Sequence, residues 1–177
     1  MIVTVTVNAA LDRTLTVPIF QIGFRHRSSE VLTLAGGKGI NVARALKILE
    51  VPVVATGLAG GRTGTRIIEE LTSEAILNDF VRISAESRTS TAVVDPTSGA
   101  YTEVNEWGPE VAKSELDTLM EKLHYLVRGA DFVVFAGSLA GRPFSKKSWN
   151  CSSVMPLTNV LVVKSLPKFG IPLPSGP

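Results

Sequence analysis

Apolar and polar side chains alternate from Val3 to Val7, the period of a strand whose side chains point to two faces in turn. Thr14-Leu15-Thr16-Val17 and the stretch from Gly23 to Leu34 alternate in the same way, and no helix is suggested before position 35. From Asn41 to Glu50 the spacing changes: Val42, Ala45, Leu46 and Leu49 recur at helical intervals. Val51 to Gly60 is a near-continuous apolar run that predicts a second buried strand ending in a glycine turn. Gly61 to Thr65 then leads into a helix with Ile67, Ile68 and Leu71 on its apolar face. Val81-Arg82-Ile83 predicts a short strand, and Thr89–Asp95 and Ala100–Val104, joined by Asp95-Pro96-Thr97-Ser98-Gly99, predict a hairpin. A helix is expected over Pro109–Tyr125, with Val111, Leu116, Leu119 and Leu123 inward. Phe132–Ala136 follows as a fully buried strand running into Gly137-Ser138-Leu139.

Strand, glycine turn and helix, repeated, is the alternation of an α/β fold with a parallel sheet. Two strand-rich excursions, about 12–34 and 88–104, interrupt it and predict a small separate β sheet standing over the stretch 35–43 as a lid. A chain of 177 residues, 45% of them apolar, fits one globular domain. The single cysteine, Cys151, makes no internal disulfide and fits a reducing compartment. The N-terminus has no basic region before a long apolar run, and no stretch reaches the roughly 18 apolar residues of a membrane span. A cytoplasmic protein with no membrane contact is expected.

The net charge of +2 conceals an asymmetry. Residues 1–131 carry 13 Lys and Arg against all 16 Asp and Glu, whereas residues 132–177 carry 5 cations, no acid and six of the ten prolines. Five unclustered cations without interleaved aromatics make a thin case for nucleic acid.

Candidate chemistry gathers at Ala35-Gly36-Gly37-Lys38-Gly39-Ile40-Asn41-Val42-Ala43. Three glycines let the backbone approach a ligand, Lys38 adds a cation, Asn41 a donor and acceptor, and a helix N-terminus just beyond favours an anion. A Walker A loop is excluded, because Leu32 stands where its first glycine belongs and Gly39 where its Ser or Thr belongs. A dinucleotide fingerprint is poorly matched, with Val42 at its third glycine. A ligand-free strand-to-helix turn stays open. Asp12, just past the first strand, is either a ligand contact or a turn-capping carboxylate. Arg25 and Arg27, two apart on a strand, share a face that suits a phosphate or serves as a charged edge. His26 and His124 lie far apart with no second cysteine, so a His/Cys metal site has no support, and no Gly-x-Ser-x-Gly elbow occurs.

Together, Thr4–Asp12, Ala35–Ala43, Thr56–Gly60, Arg88-Thr89, Gly108–Val111 and Ala136–Leu139 resemble the N-terminal half of the PfkB or ribokinase-like carbohydrate kinase family over residues 1–139. The nearest likeness within it is to the 1-phosphofructokinase and tagatose-6-phosphate kinase members. The resemblance implies a ribokinase-like sheet with a β lid. It also implies that Asp12 and Asn41 hydrogen-bond sugar hydroxyls and that Gly36 and Gly37 close over the sugar. By the same likeness Arg25, Arg27, Lys38 and Arg88 hold the phosphate already on the substrate, with Ser138 near that pocket, and lid strands make a homodimer contact. In the family ATP, Mg2+ and the catalytic aspartate of a Gly-Ala-Gly-Asp motif belong to the C-terminal half, and no Gly-x-Gly-Asp occurs here.

Residues 140–177 depart from the family pattern, and a change of reading frame or gene structure near Leu139 is the expected cause. Asn159–Lys164 could still form the family's next strand. The expectation is a sugar-phosphate kinase fragment without its ATP site or catalytic base, inactive alone and exposing a cut sheet edge that aggregates or self-pairs. The alternatives are a non-catalytic phosphosugar-binding or regulatory module, and a nucleic-acid-binding protein using the basic tail.

Overall fold

The computed structural model describes residues 1–140 and 160–164. The rest of the proline-rich tail, including Cys151, lies outside the described residues.

Buried Val3 and Val5 place β1 (Ile2–Thr6) at the centre of a five-stranded sheet of order β5 (Leu77–Ile83), β4 (Val53–Gly60), β1, β8 (Phe132–Ala136) and β9 (Val160–Lys164). The first four are parallel: β1 pairs with β4 and β8, and β4 with β5. Central parallel strands are covered on both faces. On one side Ala43, Ile67 and Leu71 of α1 (Lys38–Ile48) and α2 (Gly61–Ser73) pack with Ala55, Ala59 and Phe80. On the other, Leu119 and Leu123 of α3 (Lys113–Val127) pack with Val3, Val5, Leu58 and Val81.

The second sheet has the order β3-β2-β6-β7, from β2 (Ala10–Thr16), β3 (Glu30–Gly36), β6 (Arg88–Asp95) and β7 (Ala100–Asn105). Its hairpin β6–β7 is antiparallel as the turn chemistry predicts, while β2 and β6, distant in sequence, pair in parallel.

Several expectations are corrected. Residues 21–29 form no strand; His26 Nε2 lies 3.1 Å from Gln21 N and 2.8 Å from Gln21 O, and a hydrogen bond to one or the other, set by the tautomer, closes this stretch into a local turn. Asp12 does not lie past a strand end, because the turn at Val7-Asn8 is short and the chain re-enters a strand at Ala10. Helix α3 begins at Lys113 rather than Pro109; the Glu115 carboxylate reaches back to accept from Ala112 N–H at 2.8 Å and fixes the start there. β8 is not fully buried, since Phe132 at its start is 38% exposed. The outer edge of β8 is not left open either: β9 (Val160–Lys164) pairs with it, antiparallel.

Candidate functional site

Ligands of open α/β sheets sit beyond the carboxyl ends of the strands, where successive connections leave in opposite directions. That point here is β1, flanked by β4 on one side and β8 on the other. The turn after β1 carries Asn8 and the turn after β8 carries Ser138, and they touch: Asn8 Nδ2 donates to Ser138 Oγ at 3.0 Å and to the Leu139 carbonyl at 3.2 Å. Gly137 backs onto the start of α1, where a Cβ on it would lie 3.9 Å from Lys38 N and Cβ.

Gly37 caps α1 with φ +116°, a conformation that L side chains rarely adopt, and the first intrahelical bond runs from Asn41 N–H to Gly37 C=O at 2.9 Å. The N–H groups before Asn41 have no partner in the helix, and neither a side-chain cap nor an acid occupies the first turn. Helix α2 is different. Glu86 sits on its N-terminus, accepting from Arg62 N–H at 3.3 Å and Thr63 N–H at 2.6 Å, and hydrogen bonding with Thr63 holds its carboxyl below the usual range. The positive end of α2 is thus satisfied by the chain's own carboxylate, whereas that of α1 faces the site beside Lys38.

The second sheet supplies the opposite wall. Asp12 pairs in register with Ser90, Ser90 with Asn105, and Ala10 with both Gly36 and Arg88. Paired residues share a face, so Asp12, Arg88, Ser90, Glu103 and Asn105 stand on one side. Ser90 Oγ lies 2.6 Å from Asn105 Oδ1 and 3.1 Å from Glu103 Oε1, and Arg88 Nη1 donates to Asn105 Oδ1 at 3.3 Å. Arg88 Nε is buried without a hydrogen-bond partner among the described residues. Burial pushes the Asp12 carboxyl above its ordinary range, Arg88 and Arg44 oppose this, and Glu103 adds to it. Gly36 is where the carboxylate needs room: a Cβ there would sit 2.1 Å from Asp12 Oδ2.

Of the residues expected from the sequence, Gly36, Gly37, Lys38 and Ser138 therefore gather at the strand ends, with Asp12 and Arg88 on the facing sheet. Asn41 joins them through Arg44, whose Nη1 donates to Asn41 Oδ1 at 2.9 Å. Arg25 and Arg27 are not brought in. Both are exposed, and Arg27 lines a groove with Arg13, Leu15, Val17 and Val93, on the face of β2 opposite Asp12. Sequence reasoning missed Asn8, Arg44, Ser90, Glu103 and Asn105. Hairpin register offers a signal for Glu103 and Asn105, and the i, i+3 spacing from Asn41 one for Arg44.

A family profile described as pfkB family carbohydrate kinase matches residues 6–152. The chain belongs to this family. It is 36% identical to the 1-phosphofructokinase of Haloferax volcanii over 141 residues, covering 78% of this chain and 45% of that protein. A possible 1-phosphofructokinase from Thermotoga maritima has a crystal structure that superposes with TM-score 0.75 at 35% identity, over 79% of this chain and 45% of the other. Phosphofructokinase-2 from Escherichia coli, solved in complex with fructose-6-phosphate, gives 0.74 at 29% identity, over 78% of this chain and 46% of the other. The chain thus spans about half the length of the relatives it matches.

Proposed function

We propose that these residues form the sugar-phosphate-binding half of an ATP-dependent carbohydrate kinase, and that alone they bind fructose 1-phosphate or tagatose 6-phosphate without phosphorylating it. The observation that carries this reading is Arg88: a guanidinium whose buried Nε has no partner among the described residues, on the face of a half-buried Asp12 whose pKa burial raises. Buried donors are costly unless paired, so an oxygen-rich ligand is the natural occupant. Lys38, Arg88 and the N–H groups of α1 hold the phosphate, while Asp12 and Asn41 take sugar hydroxyls.

Phosphoryl transfer needs a base, a metal and donors around the moving group. By the family likeness, Mg2+ and ATP are proposed to be held by the part of the relatives that lies outside the span shared with this chain. A homodimer through the second sheet is proposed on the exposure of Leu32 and Leu34 beside Asp12 and of Val31 and Val104 on the other face. Among the described residues no helix is long and apolar enough to cross a membrane, and the location proposed is cytoplasmic.

A second reading, a non-catalytic phosphosugar-binding module, is favoured by β9, which covers the sheet edge at β8. Calorimetric titration with fructose 1-phosphate, fructose 6-phosphate and tagatose 6-phosphate tests both, beside an ATP-dependent phosphorylation assay of this chain and of one extended by a family C-terminal half. Binding with turnover only in the extended chain is expected for the kinase half. Binding with no turnover in either supports the module, and no binding of any sugar phosphate overturns both.

A further inference from the structure

Asn41 is useful to a ligand only if its amide is turned the right way, and the structure shows what turns it. The Arg44 fork is held by Glu74 at the end of α2, with Nε to Oε2 at 2.6 Å and Nη2 to Oε1 at 2.7 Å. Its remaining donors reach the site: Nη2 to the Ala35 carbonyl at 3.0 Å, and Nη1 to Asn41 Oδ1 at 2.9 Å. A guanidinium only donates, so the oxygen of Asn41 faces Arg44 and its two Nδ2 hydrogens stay available to a ligand. The fork is about three-quarters buried together with its carboxylate, with side-chain exposures of 26% and 24%. Hydrogen bonding to Glu74 raises the Arg44 pKa and the same contact lowers that of Glu74, so both stay charged. Arg44 is therefore committed to Glu74 and the loop and does not serve as a further phosphate cation.

We propose that Arg44, locked by Glu74, is a positioning residue that fixes Asn41 as a hydrogen-bond donor opposite the acceptor Asp12, so that the pocket reads a pair of hydroxyls on the sugar and not its phosphate. This rests on the sugar-phosphate reading of the site. One hydroxyl donates a hydrogen bond to the Asp12 carboxylate, and the other accepts one from Asn41 Nδ2. A lysine in place of Arg44 keeps the charge but lacks the planar fork that spans Glu74, Ala35 and Asn41 at once.

The test uses the whole chain and two probes, fructose 1-phosphate and inorganic phosphate, titrated into the unaltered protein, Arg44→Lys, Asn41→Ala and the double variant, with Tm recorded for each. Arg44→Lys is expected to weaken fructose 1-phosphate binding roughly tenfold to hundredfold, the loss of one to two hydrogen bonds, and inorganic phosphate by less than about twofold. The double variant is expected to bind no worse than Asn41→Ala, because the two act through one contact. Equal losses for both probes, or additive losses in the double variant, overturn the inference. If Arg44→Lys does not fold, Glu74→Gln carries the test: a smaller loss confined to fructose 1-phosphate supports the inference and unaltered binding overturns it. Failure of the unaltered chain to bind fructose 1-phosphate overturns the functional reading and the inference with it, whereas unaltered affinity in folded Arg44→Lys overturns the inference alone.

Discussion

Replacing Gly36 by alanine tests the site through a single methyl group. An alanine Cβ would meet Asp12 Oδ2 at 2.1 Å, Cγ at 2.2 Å and Oδ1 at 2.4 Å. Non-bonded heavy atoms settle near 3.5–4.0 Å, so the carboxylate must move by about 1.5 Å. The φ of Gly36 is not in the left-handed region, so the substitution adds no backbone strain, and it trims the entropy of the unfolded chain by about 0.4–1 kcal/mol. Against that stands overpacking of about 1–3 kcal/mol. Net destabilisation is therefore small, while the ligand loses a hydrogen bond to a charged acceptor worth about 1.5–3 kcal/mol, roughly a tenfold to hundredfold rise in Kd. The assay is calorimetric titration of fructose 1-phosphate into Gly36→Ala, Asp12→Ala and the double variant, with urea unfolding of each. Once the carboxylate is gone the methyl has room, so the double variant should bind like Asp12→Ala and be no less stable than Gly36→Ala. Gly37→Ala is the contrast: with φ +116° and Thr6 Cγ2 at 2.7 Å from its Cβ, it should lose stability first. Unaltered affinity in Gly36→Ala, or losses that add in the double variant, would refute the reasoning.

Asp12→Asn should bind fructose 1-phosphate more weakly and yet melt higher than the parent at pH 7. The Asp12 pKa is raised from 3.8 by burial, so its ionised form opposes folding above the folded pKa and the effect vanishes below 3.8; equal Tm gains at pH 3 and pH 7 would count against this. Asn8→Ala removes the bridge from the turn after β1 to Ser138 and Leu139; about 1–3 kcal/mol should be lost in urea unfolding. Burial raises the pKa of Asp95, but donors at Thr97, Ser98, Ile19 and Phe20 outweigh it and take it from 3.8 to about 2. Its stabilisation is therefore present above 3.8 and is lost as pH falls toward 2, so Asp95→Asn should flatten the Tm against pH curve there and speed tryptic cleavage at Arg25 and Arg27.

The main sheet was legible because its signals are local. Val53 to Gly60 is an apolar run between turn residues, and Ile67 and Leu71 fall one helical turn apart. The hairpin was legible for the same reason, since Asp95 to Gly99 carries its own turn chemistry. What failed depended on distant partners. Alternation around Arg25 and Arg27 resembles a strand, but a strand needs a neighbour, and the ladder along β2 is taken up by β3 and β6. The antiparallel pairing of β9 with β8 has no mark in the residues of β9 themselves. At the site, Lys38 and Asn41 were legible as chemistry beside glycines, while Arg44 and Asn8 read as ordinary polar residues until their partners on α2 and after β8 came into place.

The two walls of the pocket belong to different sheets, and this bears on how the ligand is read. The anion-attracting groups, Lys38, the start of α1 and Ser138, sit on the main sheet, whose parallel strands and two helical layers hold them rigidly. The groups suited to hydroxyls, Asp12 with the Ser90 and Asn105 network, sit on the second sheet with Arg88. The chain passes from one wall to the other within two residues, because Gly36 ends β3 and Gly37 caps α1. On the proposed reading a free phosphate is met by the first wall and by Arg88, and leaves Asp12 without a partner. A phosphorylated sugar, on the same proposed reading, engages both walls, and its hydroxyls give the half-buried Asp12 carboxylate, whose charge burial works against, the donors that offset this cost.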